Sequence, residues 1–270
     1  MINNIQKLLN NNLFDISIIH TKYAGHATEL TKVAVEKKVD IVVAAGGDGT
    51  INEVASQLVN TNTTLAIIPC GSGNGLASDL KIPKNYKKAI RKIYLLKKKT
   101  IDVGVCNNQY FFSLTGVGFD AQVAHDFNLG KKRKFLGYLW AIFKDFFRSK
   151  EQEYTIELEN KLITDKFFVM TIANCSQWGY NVKVAPNAKL DDGIFDVVLC
   201  KKPSIISIIP FGIKLLTGKI TASKFSTHKT AEKVTITSNN DFFYHIDGDF
   251  KGISRKIEIS VLPNVLKVVV

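Results

Sequence analysis

The segment that most narrows what this chain can fold into is 41–58, IVVAAGGDGTINEVASQL, where an apolar run ends in a glycine-rich loop carrying one acid. Ile41, Val42, Val43, Ala44 and Ala45 form the kind of short apolar run that suits a parallel strand covered on both faces. Gly46, Gly47 and Gly49 can supply positive φ and let a phosphate approach the backbone with no Cβ in the way. Thr50 followed three residues later by Glu53 reads as a capping box, which opens a helix whose unpaired N–H groups face the loop. A polyphosphate fits there. Asp48 is the loop's one charge, and an anion among phosphates calls for Mg²⁺ or a proton relay between them. An ordinary strand-to-helix turn with a solvated Asp48 has the same pattern, so this segment alone leaves both readings open.

The next unit weighs on that choice. Residues 64–80, TLAIIPCGSGNGLASDL, repeat strand, glycine loop and helix within about one βαβ length. Two phosphate-type loops at the carboxyl ends of neighbouring strands point to one shared ligand crevice. Together, GGDGTINE and PCGSGNGLA resemble the diacylglycerol kinase catalytic family, the group of bacterial lipid kinases, sphingosine kinases and ceramide kinases. NAD kinases and phosphofructokinases share the first loop and a similar fold, and the second loop separates the chain from them.

The resemblance implies an α/β N-terminal domain with a parallel sheet, like that of NAD kinases and phosphofructokinases, followed by a mostly antiparallel β-sandwich. It implies ATP and Mg²⁺ as cofactors, with nucleotide contacts at Gly46, Gly47, Asp48, Gly49, Thr50, Ile51, Asn52, Glu53 and Ser72. Residues 21–27, TKYAGHA, are similar to the family segment in which a threonine contacts the nucleotide, here Thr21; as a simple cap Thr21 reads equally well. Family members open with a strand and an Asn-Pro-x-Ser-Gly loop, and this sequence begins after the point where that loop falls.

Composition sets the class. With 270 residues, 46% of them hydrophobic and 22% charged, the chain has ordinary globular usage and room for one large or two modest domains. No apolar stretch is long enough to span a bilayer, and the first residues lack a signal-peptide pattern, which places the protein in the cytoplasm. Cys70, Cys106, Cys175 and Cys200 are far apart, so reduced core thiols are expected rather than disulfides or zinc. Lys plus Arg number 36 against 24 acids, a net +12 that favours anionic partners: nucleotides, nucleic acid or an acidic membrane. Neither RNA-binding aromatics nor a helix-turn-helix pattern accompanies the charge, which argues against nucleic acid.

Along the chain, 14–20 (FDISIIH) alternates like a strand and GHATELTKVAVEKK follows as a helix. Between Lys81 and Lys99 there are nine basic residues and no acid on a helix-like segment whose buried side would be Ala89, Ile90, Ile93, Tyr94, Leu95 and Leu96. A solvated basic face and electrostatic docking on anionic lipid read equally well there. From Thr100 the pattern changes to successive strands: TIDVGVC, QYFFSLTGVGFD, EYTIELEN, KLITDKFFVMTIANCS, IFDVVLC, KVTITS and RKIEISVL. The domains expected are therefore 1–99 and 100–270, the last strand free to return to the first domain. Residues 131–150 have helical periodicity with a wide aromatic face, Phe135, Leu139, Ile142 and Phe146 beside Leu136, Trp140, Phe143 and Phe147. A core helix is the commoner reading, an interfacial helix the other. Residues 204–217, flanked by Lys201, Lys202 and Lys219, raise the same question, and either segment could line an acyl slot.

Two acidic turns complete the reading. By resemblance, KLDDGI is the family's structural Mg²⁺ loop, with the carboxylate of Asp192 and the carbonyls of Lys189 and Ile194; by pattern alone it is an Asp-Gly hairpin turn. YHIDGDF stands where the family has Asp-Gly-Glu. The resemblance makes Asp249 the general base and Asp247 a positioning or metal acid, with Asp48 serving the phosphates and touching no core contact. Asp in place of Glu shortens the reach by about 1.5 Å. No HExxH or GxSxG motif supports a zinc enzyme or a hydrolase. The expectation is an ATP-dependent lipid kinase with a diacylglycerol-like acceptor, cytoplasmic and peripheral to anionic membrane, with a homodimer left open. Its rivals are a catalytically impaired nucleotide- or lipid-binding member of the family and an NAD kinase.

Overall fold

A computed structural model describes residues 13–129, 144–159, 161–179 and 182–270. The chain divides into two units, Met1–Asp102 with Asn264–Val270, and Val103–Pro263.

In the first unit the elements are α1 (His26–Glu36), β1 (Ile41–Gly46), α2 (Asp48–Leu58), β2 (Thr64–Pro69), α3 (Gly75–Asp79) and α4 (Tyr86–Tyr94). β1 and β2 pair in parallel from Ile41 opposite Thr64 to Gly46 opposite Pro69. β2 is buried along its whole length and takes a second parallel neighbour from the chain's end, where Val268 lies opposite Leu65. Burial on both faces, expected of 41–45, therefore belongs to β2. β1 ends the ladder among the described residues, and Val43 and Ala45 are exposed. α2 packs through Ile51, Val54, Ala55 and Leu58, the three- and four-residue spacing that puts one helical stripe against the sheet.

Residues 14–20 do not form a strand. Phe14 and Ile16 lie against Ala66, Ile68, Ile90, Ile93 and Val269, so the alternation buries one side, as the sequence suggests. A strand also needs a ladder partner, and among the described residues this segment has none. The basic segment 81–99 also differs from expectation. Asn85 caps α4 by accepting the N–H groups of Lys87 and Lys88, and Ala89, Ile90 and Ile93 are buried. The helix stops at Tyr94, and Tyr94, Leu95 and Leu96 are exposed, Leu96 with a φ of 51° that ends the helical path.

Residues 264–270 are stitched into this unit by backbone bonds from Asn60 N–H to the Val265 carbonyl and from Val270 N–H to the Lys97 carbonyl, both 2.8 Å. The Asp102 carboxylate accepts the Asn264 N–H at 2.8 Å. Leu266 is fully buried there. Leu266→Ala is expected to cost about 2–5 kcal/mol in urea unfolding. A loss below about 0.5 kcal/mol would show that the returning segment does not hold the unit together.

β3 (Lys98–Cys106) leads into the second unit, which contains β4 (Gln109–Phe111), β5 (Leu114–Gly118), α5 (Phe119–Leu129), β6 (Gln152–Leu158), β7 (Lys161–Phe167), β8 (Val169–Ala173), β9 (Phe195–Cys200), α6 (Ile208–Thr217), β10 (Ser226–Ala231), β11 (Lys233–Ile246) and most of β12 (Asp249–Val269). β11 is its hub: it pairs with β12, β5 and β6, all antiparallel. From β5 the ladder continues through β8 and β9 to β10, again antiparallel. Phe111, Tyr154, Phe195, Ile236 and Ile257 fill the core on one side of it.

The expected run QYFFSLTGVGFD breaks at Phe112–Ser113 and passes into α5, and KLITDKFFVMTIANCS breaks at Phe168. β10 has no counterpart among the expected strands, because its sequence STHKTA carries no large apolar residue and buries only Ala231. Of the helix expected over 131–150, residues 144–148 are helical, and the aromatic positions from Phe135 to Phe143 lie outside the described residues. Cys106, Cys175 and Cys200 are buried free thiols as expected, whereas Cys70 is exposed.

Candidate active site

The two glycine loops of the first unit touch each other. A Cβ on Gly71 would stand 2.6 Å from the Gly47 Cα, and one on Gly73 would stand 2.8 Å from an Asp48 carboxylate oxygen. A Cβ on Gly46 would collide with Thr50, whereas one on Gly49 would meet nothing within 4 Å. None of Gly46, Gly47 and Gly49 has a positive φ; the left-handed residue is Asn74, at 55°. These glycines serve close approach of backbone to backbone, and the expected need for positive φ is not met.

Asp48 occupies the contact. Its Oδ2 accepts the Asn74 N–H at 2.8 Å and its Oδ1 the Gly75 N–H at 3.0 Å, so the acid of the first loop caps α3 at the end of the second. The expected capping box does not form either. α2 begins at Asp48, with Gly47 at the cap position making no side-chain bond, which places Thr50 inside the first turn. Glu53 is turned elsewhere: its carboxylate accepts the N–H groups of Gly25 at 2.9 Å and Ala27 at 3.2 Å, at the amino end of α1. A helix start leaves several N–H groups unpaired, and an anion there also meets the positive end of the helix dipole. Carboxylates fill that role for α1 and α3. At α2 the first helical bond is Ile51 N–H to the Gly47 carbonyl, so the N–H groups ahead of it have no helical partner, and Gly49 faces open space.

The other nucleotide candidates are unevenly placed. Thr21 and Ser72 are exposed. The Ile51 side chain is buried in the core, so only its backbone could face a ligand. The Asn52 amide oxygen accepts the Ser56 hydroxyl at 3.4 Å.

In the second unit, Asp247 and Gly248 form the two-residue turn between β11 and β12, with φ of 49° and 84°, the left-handed pair that a tight hairpin requires. The Asp247 carboxylate accepts three backbone N–H groups, from Phe112 at 3.0 Å, Ser113 at 2.8 Å and Leu114 at 3.1 Å. It therefore holds the break between β4 and β5, with two of the bonds on Oδ1 and one on Oδ2. Asp249 is unlike it. Its side chain is 61% exposed, and Lys251 Nζ lies 4.0 Å from its Oδ2.

A pair that the sequence reading missed lies under the turn. Gly248 N–H donates to His245 Nδ1 at 3.3 Å, which leaves the imidazole proton on Nε2, 3.1 Å from an Asp120 carboxylate oxygen. Register brings the pair together, His245 lying opposite Gly116, where a Cβ would strike both the Asp120 oxygen and His245 Nε2. His245 lies in the YHIDGDF segment, whose pattern points only to its acids, Asp120 lies in the first turn of α5 far away in sequence, and the β5–β11 pairing joins them.

Lys189, Asp192 and Ile194 lie on the loop before β9, with Lys189 and Asp192 exposed and Gly193 at a φ of 75°. Burial, and then the neighbouring Asp192 charge, push the Asp196 carboxyl up to about 6. Neither Asp192 nor Asp196 has an ion-pair partner among the described residues, which also contain no group of three or more His, Cys, Asp or Glu side chains placed to hold a metal.

Comparison with known proteins agrees with this layout. The family model described as "Diacylglycerol kinase catalytic domain" matches residues 1–106, and that described as "YegS C-terminal NAD kinase beta sandwich-like domain" matches residues 113–270. The diacylglycerol kinase of Bacillus subtilis (strain 168) is 30% identical over 246 residues, covering 89% of this chain and 81% of that protein. The chain belongs to the diacylglycerol kinase family. It is a family of lipid kinases. A diacylglycerol kinase of Staphylococcus saprophyticus is 28% identical over 88% of this chain and 80% of its own. In fold, the chain is similar to the crystal structure of a diacylglycerol kinase from Bacillus anthracis, with a TM-score of 0.74 at 23% identity over 94% of this chain and 85% of that one. An NAD kinase from Archaeoglobus fulgidus in complex with ATP shares the fold at a TM-score of 0.57 and 13% identity, covering all of this chain (100%) and 89% of that one. The expected family and fold class are thus those observed, α/β first and β-sandwich second.

The geometry separates the acids by what their loss would do. Asp48→Ala and Asp247→Ala each leave buried or half-buried N–H groups without an acceptor, and each is expected to cost about 1–3 kcal/mol. Asp249→Ala, at an exposed position, should stay within about 0.5 kcal/mol of wild type. Equal urea midpoints for all three variants would rule out the capping roles.

Proposed function

We propose that this protein is an ATP-dependent lipid kinase that moves the γ-phosphate of ATP to the hydroxyl of a diacylglycerol-like lipid. The observation that carries the reading is the amino end of α2, where the Asp48 carboxylate is turned to the N–H groups of Asn74 and Gly75, the first helical bond is Ile51 N–H to the Gly47 carbonyl, and a side chain added at Gly49 would meet nothing within 4 Å. Backbone N–H groups and a helix dipole there suit a polyphosphate. The lipid acceptor is supported by the name that the Bacillus subtilis and Staphylococcus relatives carry. The ATP-bound NAD kinase shares only the fold at 13% identity, and GSGNGLA in the second loop favours the lipid kinase over that rival.

Phosphoryl transfer asks a protein for positioning and charge compensation more than for covalent chemistry. Gly46 to Glu53 and Ser72 hold the nucleotide, with Thr21 beside it. Asp48 fixes the two loops against each other, and each of its oxygens keeps a lone pair beyond its N–H bond, so a metal ligand role remains open to it. Asp249 takes the proton of the attacking hydroxyl, while Asp247 and His245 hold the turn that presents it. Mg²⁺ would be held by Asp192 and the carbonyls of Lys189 and Ile194, with a further ion along the phosphates, supplying the positive charge that the loop and the polyphosphate lack. The protein meets its acceptor at the surface of an anionic membrane. Among the described residues no helix is long and apolar enough to cross one.

Asp249→Asn is expected to lower kcat by about 10²- to 10⁴-fold with ATP affinity little changed, and Asp249→Glu to be tolerated. Steady-state transfer of labelled γ-phosphate to diacylglycerol reads both. Equal rates for wild type and Asp249→Asn would remove the base assignment, and no turnover in wild type with any lipid would favour a binding-only protein. For the metal, Mg²⁺ at a hundred times its dissociation constant should stabilise the wild type by about 2.7 kcal/mol. Thermal unfolding of Asp192→Asn should show no such gain, and a wild-type melting point indifferent to Mg²⁺ would argue against the site.

A further inference from the structure

α6 has two apolar sides and only one is used. Phe211 and Leu215 pack against the core cluster formed by Leu114, Val169, Val198 and Cys200, and Phe211 meets Phe225 edge-on. On the other side, Ile206, Ile209, Ile213 and Leu216 recur at three- and four-residue intervals, the spacing of one helical stripe. They are 91%, 74%, 55% and 56% exposed, and Ile205 in the preceding turn is 72% exposed. Scattered exposed aliphatic residues are normal on a protein surface, but five within twelve positions form a contiguous patch, which marks a docking surface.

The charges around the patch indicate its partner. Residues 201–224 contain Lys201, Lys202, Lys214, Lys219 and Lys224 and no acid. Lys201 is paired with Asp165, and Lys202 is tied to the Ser149 carbonyl. Lys214 reaches only the Ala222 carbonyl, Lys224 lies over the Phe225 ring, and neither they nor Lys219 have a carboxylate partner among the described residues. We propose that the Ile205–Leu216 face docks this protein on an anionic lipid bilayer, its aliphatic stripe entering the headgroup boundary and Lys214, Lys219 and Lys224 neutralising lipid charge. Such a helix lies in the interface rather than across it, since its ten residues reach only about 15 Å. A second copy of the chain is a poorer occupant, because a two-fold contact would bring like charges together, and lysine is depleted at protein interfaces.

The proposal deepens the lipid-kinase reading by naming the surface from which the acceptor is taken, and its binding test does not need turnover. The wild-type protein and the double variant Ile206→Glu with Ile209→Glu are cosedimented with vesicles of phosphatidylglycerol and phosphatidylcholine and with vesicles of phosphatidylcholine alone. Both positions are exposed, so far-UV circular dichroism and the melting point should be unchanged. The expected result is binding to the anionic vesicles that weakens with salt, and at least a tenfold loss of partitioning in the double variant. Leu95→Glu, at an exposed apolar position on the basic α4 segment, should bind as wild type. Phosphorylation of a short-chain, monomeric diacylglycerol should be the same in wild type and double variant, whereas phosphorylation of vesicle-borne acceptor should fall in the variant. Undiminished vesicle binding by the double variant overturns the proposal, as does a loss confined to Leu95→Glu. A self-association seen in sedimentation equilibrium and abolished by the double variant, with no vesicle binding, assigns the face to a second copy and also overturns it. Vesicle binding that behaves as expected without turnover on any acceptor leaves the docking face standing and removes the lipid-kinase reading instead.

Discussion

The interaction on which both units depend is a carboxylate accepting backbone N–H groups that no regular ladder can satisfy. Asp48 takes those of Asn74 and Gly75, Glu53 those of Gly25 and Ala27, and Asp247 those of Phe112, Ser113 and Leu114. A helix start or a strand break leaves such donors by geometry, and glycine-rich loops bring no side chain to meet them. A charged acceptor offers bonds stronger than neutral ones, each worth about 1.5–3 kcal/mol, and one carboxylate serves several donors at once. α3 shows the need most clearly, since its five residues could not nucleate a helix unaided.

This structural use of acids sorts the motif residues by availability. In the turn between β11 and β12, Asp247 is spent on the backbone and Asp249, two residues later, faces solvent. The imidazole of His245 adds a second hold on the same turn through Gly248, and Asp120 fixes that imidazole from behind. The turn is tied down at both Asp247 and Gly248, which is the preorganisation that the proposed role of Asp249 as proton acceptor would need. At the glycine loops the same sorting turns the Asp48 carboxylate from its own helix to the start of α3 and that of Glu53 to the start of α1.

Apolar surface is distributed with similar asymmetry. The second unit buries an aromatic and aliphatic core around β11, yet α6 keeps a second aliphatic side in solvent near Lys214, Lys219 and Lys224, which have no carboxylate partner among the described residues. Burial of that side within the fold would have needed a facing element, and α6 already spends Phe211 and Leu215 on the core it has. The proposed interfacial role would account for a helix that is apolar on both sides in a segment, 201–224, whose charged residues are all lysines.

Read alone, the sequence determined the elements whose signal is local. The change from βα alternation to successive strands near Thr100, a helix within GHATELTKVAVEKK, a helix after the first glycine loop and the Asp-Gly turn at 247–248 follow from periodicity and turn chemistry that act within a few residues. The glycine loops were also legible as a pair. What the tertiary structure decided was what each loop touches. Glu53 three residues after Thr50 has the spacing of a capping box, but the N–H groups of α1 compete for it and win, because they lie at a helix start and Thr50 does not. Gly71 answers to Gly47 and Gly116 to Asp120 and His245, contacts that no spacing encodes. The alternation of 14–20 predicts a buried side but not a ladder, and the single run from Gln109 to Asp120 is broken by an acid 135 residues away in sequence. Periodicity reports which face of a segment is apolar; hydrogen-bond partners and close backbone approach depend on which segments the fold brings together.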